Sequence, residues 1–302
     1  MVKPGQEEPG LSGLVAGARL VGRAAVLGSP ITHSLSPVLH SAAYRALGLT
    51  GWSYTAMECD EQGLPSLLDS LGPGWAGLSL TMPLKRAVLP LLDHAEPLVR
   101  QVGVANTVVF AGGERRGFNT DVGGIVTALR QAGVTTGGNV LVLGGGATAC
   151  SALAALDAIG IVAVSVAVRS LARAKPLLEV ANRLDMQVAL IEFGPDLASQ
   201  HWQLLVSTIP AAGAEHVATD LRTGMFAADR VFDVVYDPWP TPLAVAAGDV
   251  GSTVISGFEM LVHQAAGQVE LMTGQPAPVS AMRAAGLAEL ARRRNIRQPP
   301  DA

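Results

Sequence analysis

The chain has 302 residues, 49% of them hydrophobic and 15% charged, with 34 glycines, 19 prolines and a net charge of −4. That length points to two domains. The apolar share excludes a chain disordered throughout, glycine and proline without a G-X-Y period exclude collagen, and the charge gives no support to a nucleic-acid or anionic-membrane partner.

Residues 1–22 are rich in glycine with scattered prolines and charges, and read as a flexible extension, as do 298–302. Short apolar runs then alternate with amphipathic stretches. A strand is expected at 24–27, followed by a helix over 37–47 with Ser36 as N-cap and Pro37 at its first position. Strands are expected at 52–58 and 77–81, with a helix over 64–71 between them. Met82 and Pro83 lead to a helix from Leu84, and a further strand lies at 107–110. A long helix starts near Asp121, with Val122, Ile125, Val126 and Leu129 at helical spacing. Asn119 and Asp121 read first as its caps. Next come an apolar strand at 139–143, a glycine turn and an Ala-rich helix. Strands at 162–168, 188–193, 204–209, 231–236 and 253–256 follow, then helices over 259–271 and 281–294.

From 140 to 168 the only charge is Asp157, yet Gly144, Gly145 and Gly146 interrupt the run. Strand, turn, helix and strand explain it better than a membrane span. The alternation predicts two α/β domains with a cleft between them at the C-terminal ends of the strands. The first, 23–121, carries a mostly parallel sheet. The second, 122–257, is Rossmann-like, and the helices of 258–302 return to the first. Cys59 and Cys150 stand apart from any CxxC pair and read as buried reduced thiols of a cytoplasmic protein. The six histidines show no metal-ligand spacing.

Residues 144–149 contain G-x-G-x-x-A between a strand and a helix. Gly144, Gly145 and Gly146 permit a tight turn, and the backbone N–H groups running into Ala147 and Thr148 suit a pyrophosphate. The next strand ends in Val168, Arg169 and Ser170, with Arg173 one turn on and no acid before Glu179. Guanidinium groups there suit a 2′-phosphate, so NADP(H) is favoured over NAD.

In the first unit, Ser34 and Ser36 flank a helix start, an arrangement suited to a carboxylate. Thr81 and Lys85 follow a strand. Lys85 is one of three lysines against 18 arginines, and lysine can donate or accept a proton where arginine cannot. Asn106 enters one strand, and Asn119-Thr120-Asp121 precedes the long helix.

In this order, the segments 28–37, 77–85, 105–107, 119–121, 144–149, 233–236 with 241–243, and 256–266 resemble the shikimate dehydrogenase family from about residue 23 to 290. The resemblance implies reversible, NADPH-dependent reduction of 3-dehydroshikimate to shikimate in aromatic amino-acid biosynthesis, by a monomer or homodimer. It implies that Ser34, Ser36 and Tyr236 bind the substrate carboxylate. Thr81, Lys85, Asn106, Asp121 and Gln264 contact the ring hydroxyls, with Lys85 and Asp121 as the catalytic pair. Val234 and Gly257 line the nicotinamide end. Two positions depart from the family pattern: Ser79 stands where asparagine is common, and Val168-Arg169-Ser170 stands where Asn-Arg-Thr is common.

Three other readings compete. An NAD-dependent quinate/shikimate dehydrogenase is disfavoured by the missing acid at 168–170 and by serine rather than threonine at 36. A methylenetetrahydrofolate dehydrogenase has no use for the serine segment. A non-catalytic ligand-sensing relative would be expected to have lost Lys85 or Asp121.

Overall fold

The computed structural model describes residues 21–194 and 197–297. Of the expected extension, residues 1–20 lie outside this range, as do 298–302 at the other end. Val21 and Gly22 already belong to the first strand, paired with Gly51 and Trp52.

The first sheet is built from β1 (Val21–Gly28), β2 (Gly51–Glu58), β3 (Trp75–Leu80), β4 (His94–Ala95), β5 (Thr107–Ala111) and β6 (Glu114–Phe118), in the order β2-β1-β3-β5-β6-β4. β1 runs parallel to β2 and β3, whereas β5 runs antiparallel to both β3 and β6. The sheet is therefore mixed but mostly parallel, as expected, with β5 the one reversed strand. The departure comes from a hairpin whose turn residues, Gly112 and Gly113, have φ of 61° and 84°. Two left-handed residues match the twist of paired strands. β6 reads Glu-Arg-Arg-Gly-Phe, which has no apolar alternation to announce it.

Four helices belong to this half: α1 (Ser36–Ala46), α2 (Leu64–Ser70), α3 (Leu84–Ala87) and α4 (Pro97–Val102). α1 begins one residue earlier than the sequence suggests. Ser36 is its first residue and not its cap, and the capping position falls on Leu35 without a side-chain bond. The Ser36 N–H instead donates to Ser34 Oγ at 3.2 Å, which leaves the Ser36 hydroxyl uncommitted to capping.

α5 (Asp121–Gln131) leads into the second sheet. The strands are β7 (Val140–Leu143), β8 (Ala163–Val168), β9 (Gln187–Glu192), β10 (His201–Ser207), β11 (Ala227–Asp233) and β12 (Thr253–Ser256), joined by α6 (Ala147–Ala158), α7 (Lys175–Arg183), α8 (Glu215–Arg222) and α9 (Pro242–Asp249). All pairings are parallel, in the order β12-β11-β10-β7-β8-β9. This is the doubly wound arrangement, and its switch point lies between β7 and β10, beside the glycine turn. The central strands are apolar because helices cover both faces; Leu141, Val142 and Leu143 are fully buried.

α10 (Gly257–Thr273) and α11 (Val279–Arg297) close the fold. α10 joins the two halves. Phe258, Val262, Ala265 and Val269 pack into the core around β1 and α1, while Met260 packs with α5 and β7. No helix of the described residues is long and apolar enough to cross a membrane.

Candidate active site

A cavity of about 260 Å³ opens between the two sheets. It brings together residues far apart in sequence: Ser34, Ser36, Thr81, Lys85 and Asp121 from the first half, Thr148, Val234 and Tyr236 from the second, and Gly257 and Gln264 from α10.

Its chemical centre is an ion pair. Lys85, on the short helix after β3, places Nζ 2.5 Å from Asp121 Oδ2 at the start of α5. Their side chains are 13% and 5% exposed, so little water screens the pair. The other carboxylate oxygen, Oδ1, accepts Asn106 Nδ2 at 2.8 Å. Asn106 also approaches Gln264 Oε1 at 3.4 Å. Asn119 acts as a local cap, its Oδ1 accepting the Val122 N–H at 3.3 Å, and donates Nδ2 to Val104 O and Ser151 Oγ. It thus ties α5 to α6 and stays outside the cavity wall.

One end of the cavity is lined by hydroxyls. Ser34 and Ser36 face it from the α1 entry, and Tyr236 from the loop after β11. Burial pushes the Tyr236 phenol up, with the Leu35 backbone opposing the shift, so this hydroxyl stays a neutral hydrogen-bonding group. α11 secures this end. Arg293 donates Nη1 to His33 O at 2.7 Å and to Asp237 Oδ2 at 3.0 Å, so one guanidinium holds both the serine loop and the residue after Tyr236. Burial alone would raise the Asp237 carboxyl, but Arg297 and Arg293 together hold it below the usual carboxylate range.

The opposite wall carries a polar group, of which the sequence singles out only Ser79. Tyr54 donates to Ser79 Oγ at 2.6 Å, and Ser79 donates to Gln268 Oε1 at 2.7 Å. His40 stacks on Tyr54 at 3.9 Å and places Nε2 3.3 Å from the same oxygen. Burial drives the His40 imidazole down to about 3, so it is neutral. Gln268 lies four residues after Gln264, on the same buried face of α10. That pair of amides at helical spacing was the signal available in the sequence.

The second half offers a cradle for a dinucleotide. Gly144 has φ of 107°, and a Cβ there would lie 2.7 Å from Thr208 Oγ1. A Cβ on Gly146 would meet nothing, so the turn opens onto free space. α6 begins after Gly146 with no side-chain cap, leaving the N–H groups of Ala147, Thr148 and Ala149 available. Gly145 abuts Val168, which is buried, whereas Arg169 at the end of β8 is exposed beside Ser170 and has no partner among the described residues. The Arg173 side chain lies outside the described residues. Toward the cavity, Gly257 starts α10 flush against the preceding loop, since a Cβ there would lie 2.1 Å from Val234 O. This donor set fits a pyrophosphate on the helix start and a phosphate near Arg169.

Comparison with known proteins agrees with that geometry. Residues 26–108 match the model of the shikimate dehydrogenase substrate binding domain, and residues 257–285 that of the shikimate 5′-dehydrogenase C-terminal domain. A shikimate dehydrogenase (NADP(+)) of Geobacter metallireducens is 35% identical over 276 residues, covering 88% of this chain and 96% of the relative. The solved shikimate dehydrogenase of Mycobacterium tuberculosis is similar at a TM-score of 0.79 and 42% identity, over 88% of this chain and 99% of that one. The enzyme of Thermus thermophilus in complex with NADP(H) and shikimate is similar at 0.74 and 32%, over 88% and 98%.

Proposed function

The chain belongs to the shikimate dehydrogenase family, and from that we infer its activity: the reversible, NADP(H)-dependent reduction of 3-dehydroshikimate to shikimate in aromatic amino-acid biosynthesis. The observation that carries the assignment of roles is the Lys85–Asp121 pair, shielded from water on the wall that the first unit presents to the cofactor side. We propose a substrate-binding unit at 23–121, a cofactor-binding unit at 122–257 and C-terminal helices at 258–302 that complete the substrate side.

Bound NADPH supplies the hydride. The protein's share is to bind the ring, orient its ketone and deliver a proton. As the ketone oxygen gains charge, the Lys85 ammonium stabilises it and donates a proton from Nζ. In the reverse direction the Lys85 amine takes the proton of the shikimate hydroxyl. Asp121 holds Nζ in place and balances its charge, and Asn106 keeps the carboxylate turned toward it. Ser34, Ser36 and Tyr236 bind the substrate carboxylate, while Thr81, Asn106 and Gln264 contact ring hydroxyls. On the cofactor side, Gly144, Gly145, Gly146, Ala147 and Thr148 bind the pyrophosphate. Val168, Arg169, Ser170 and Arg173 bind the adenosine end with its 2′-phosphate, and Val234 and Gly257 the nicotinamide. The same proposal places a monomer or homodimer in the cytoplasm, where Cys59 and Cys150, both free in the structure, stay reduced.

Absorbance at 340 nm with shikimate or quinate, each paired with NADP or NAD, tests the activity. Shikimate with NADP is expected to give the highest kcat/KM. A preference for quinate, or for NAD, would reject the proposed substrate or cofactor assignment.

A further inference from the structure

We propose that Gln268 and Thr107 are positioning residues that fix the orientation of the Asn106 amide, and through it the catalytic carboxylate of Asp121; this rests on the role given to Asp121 above. The side chains involved are almost wholly buried: Gln268 is 1% exposed, Thr107 0% and Asn106 1%.

The polarity of the surroundings leaves one arrangement. The backbone oxygen of Asn106 can only accept, so the Gln268 nitrogen must face it, at 3.3 Å. The same nitrogen donates to Thr107 Oγ1 at 3.1 Å. Gln268 Oε1 is left to accept from Ser79 and His40 on the far side. A reversed Gln268 amide would set two carbonyl oxygens against each other.

With its lone pair taken by Gln268, the Thr107 hydroxyl spends its proton on Asn106 Oδ1 at 2.8 Å. The Thr120 N–H donates to that oxygen as well, also at 2.8 Å. The Asn106 oxygen is thereby committed, and its nitrogen must point to Asp121 Oδ1. Asp121 is then held from two sides, Oδ1 by Asn106 and Oδ2 by Lys85. From Gln268 to Asp121 every side-chain amide and hydroxyl has a partner, and such a chain imposes a single geometry because each alternative strands a polar group; only His40 Nδ1, at the far end, is unpaired. Ser79 and Tyr54 anchor the far end, so the hydroxyl at 79 serves the wall behind the substrate.

The test compares Gln268→Met, Thr107→Val and Thr107→Ser in the intact chain. Methionine and valine keep volume and lose the hydrogen bonds, whereas serine keeps the hydroxyl. The expected result is a fall of about tenfold in kcat for shikimate oxidation in Gln268→Met and in Thr107→Val, as for a small misplacement of a catalytic group. The dissociation constant for NADPH should be unchanged, the double variant no worse than the poorer single, and Thr107→Ser close to the parent. Thermal melting checks that each variant is folded. Folded Gln268→Met and Thr107→Val with parental kcat overturn the proposal, as does loss in Thr107→Ser equal to that in Thr107→Val. Asp121→Asn separates the two levels. If it keeps parental turnover, the catalytic role of Asp121 falls; if it is crippled while the Gln268 and Thr107 variants are normal, only the positioning role falls.

Discussion

The two halves of the molecule bury different things. Around the first sheet, polar side chains sit inside the protein: Ser36, His40, Ser79, Asn106, Thr107 and Asp121, joined by Gln264 and Gln268 from α10. The second sheet is covered mainly by Leu, Val, Ile and Ala; its fewer buried polar side chains, Ser151, Ser207, Asp233 and Thr241, line no part of the cavity, and its cradle is made of glycine backbone and a helix start. The difference follows from what each must read. A small hydroxylated acid is distinguished by side chains at fixed points, which must be held by further polar groups. A pyrophosphate is held by N–H groups that every residue carries, so the side chains beneath are free to be hydrophobic.

The comparison is broken most severely at Lys85. Lys85→Ala should lower kcat by about 10²–10⁴-fold, the range for a positioned proton donor. The melting temperature should fall as well, because the buried Asp121 carboxylate loses its charge partner, so kcat is read at a temperature where the variant is folded. Turnover within tenfold of the parent would remove Lys85 from the chemistry.

The opposite profile is expected in the apolar half. Leu153, fully buried on α6, packs in the core under β7. Leu153→Ala should cost about 2–5 kcal/mol of stability, as large-to-small core changes do. At temperatures where the variant is folded, the KM for shikimate should stay at the parental value. Chemical denaturation paired with steady-state kinetics reads both, and a selective rise in shikimate KM would contradict the separation of the halves.

Ser34→Ala is the substrate-side counterpart. A hydrogen bond to a charged group contributes roughly 1.5–3 kcal/mol. The shikimate dissociation constant should therefore rise by about tenfold to a hundredfold while that for NADPH stays put. Titration of each ligand separately decides it, and unchanged shikimate affinity would move the carboxylate away from the serine loop.

The same contrast shows in what the sequence could reveal. The apolar half is readable by its runs: 139–143 and 162–168 announce a buried parallel sheet, and the glycine turn marks its ligand end, whereas β11 starts four residues before the expected 231–236 because Asp229 and Arg230 break its apolar run. The polar half was readable by motif, and the cavity does gather Ser34, Ser36, Lys85, Asp121, Tyr236 and Gln264. It was less readable in structure. β6 hides because its residues are charged, and Ser36 reads as a cap because Pro37 follows it, although its own N–H goes to Ser34 Oγ. Gln268, Thr107, Tyr54 and His40 were missed because each is ordinary in its own segment. Only the crossing of α10 over the sheet makes them one network.

Acid should expose the difference in stability. The unfolded His40 imidazole takes up a proton near pH 6.5, whereas the folded one resists until about 3. Stability from this group is complete above pH 6.5 and is lost as pH falls toward 3, at up to about 1.4 kcal/mol per unit, or roughly 2 kcal/mol by pH 5. His263, lowered mainly by burial, adds to the loss. Asp233 in the second half works the other way: burial raises its carboxyl, so the folded state takes that proton more readily as pH falls. Melting temperatures at pH 7.5 and 5 should differ less in His40→Gln than in the parent. An equal difference would place the acid sensitivity elsewhere.

Arg169 is the smallest of these effects and the sharpest test of the apolar half, because it is the exception there: a side chain that must discriminate. It stands exposed at the end of β8, next to the glycine turn, which in the proposed role meets only what NAD and NADP share. The two cofactors differ at the 2′ position, where NADP carries a phosphate. A guanidinium can donate to that phosphate and has less to offer a hydroxyl. Arg169→Ala should therefore weaken NADP by about tenfold, the lower end of a charge-assisted bond, and leave NAD within twofold. Raising salt should narrow the gap between parent and variant, because the contact is exposed and screened. Shikimate affinity should not move, since the substrate side takes nothing from β8. Equal weakening of both cofactors would mean that Arg169 supports the glycine turn as a whole, and the preference for NADP would then have to come from elsewhere around the end of β8.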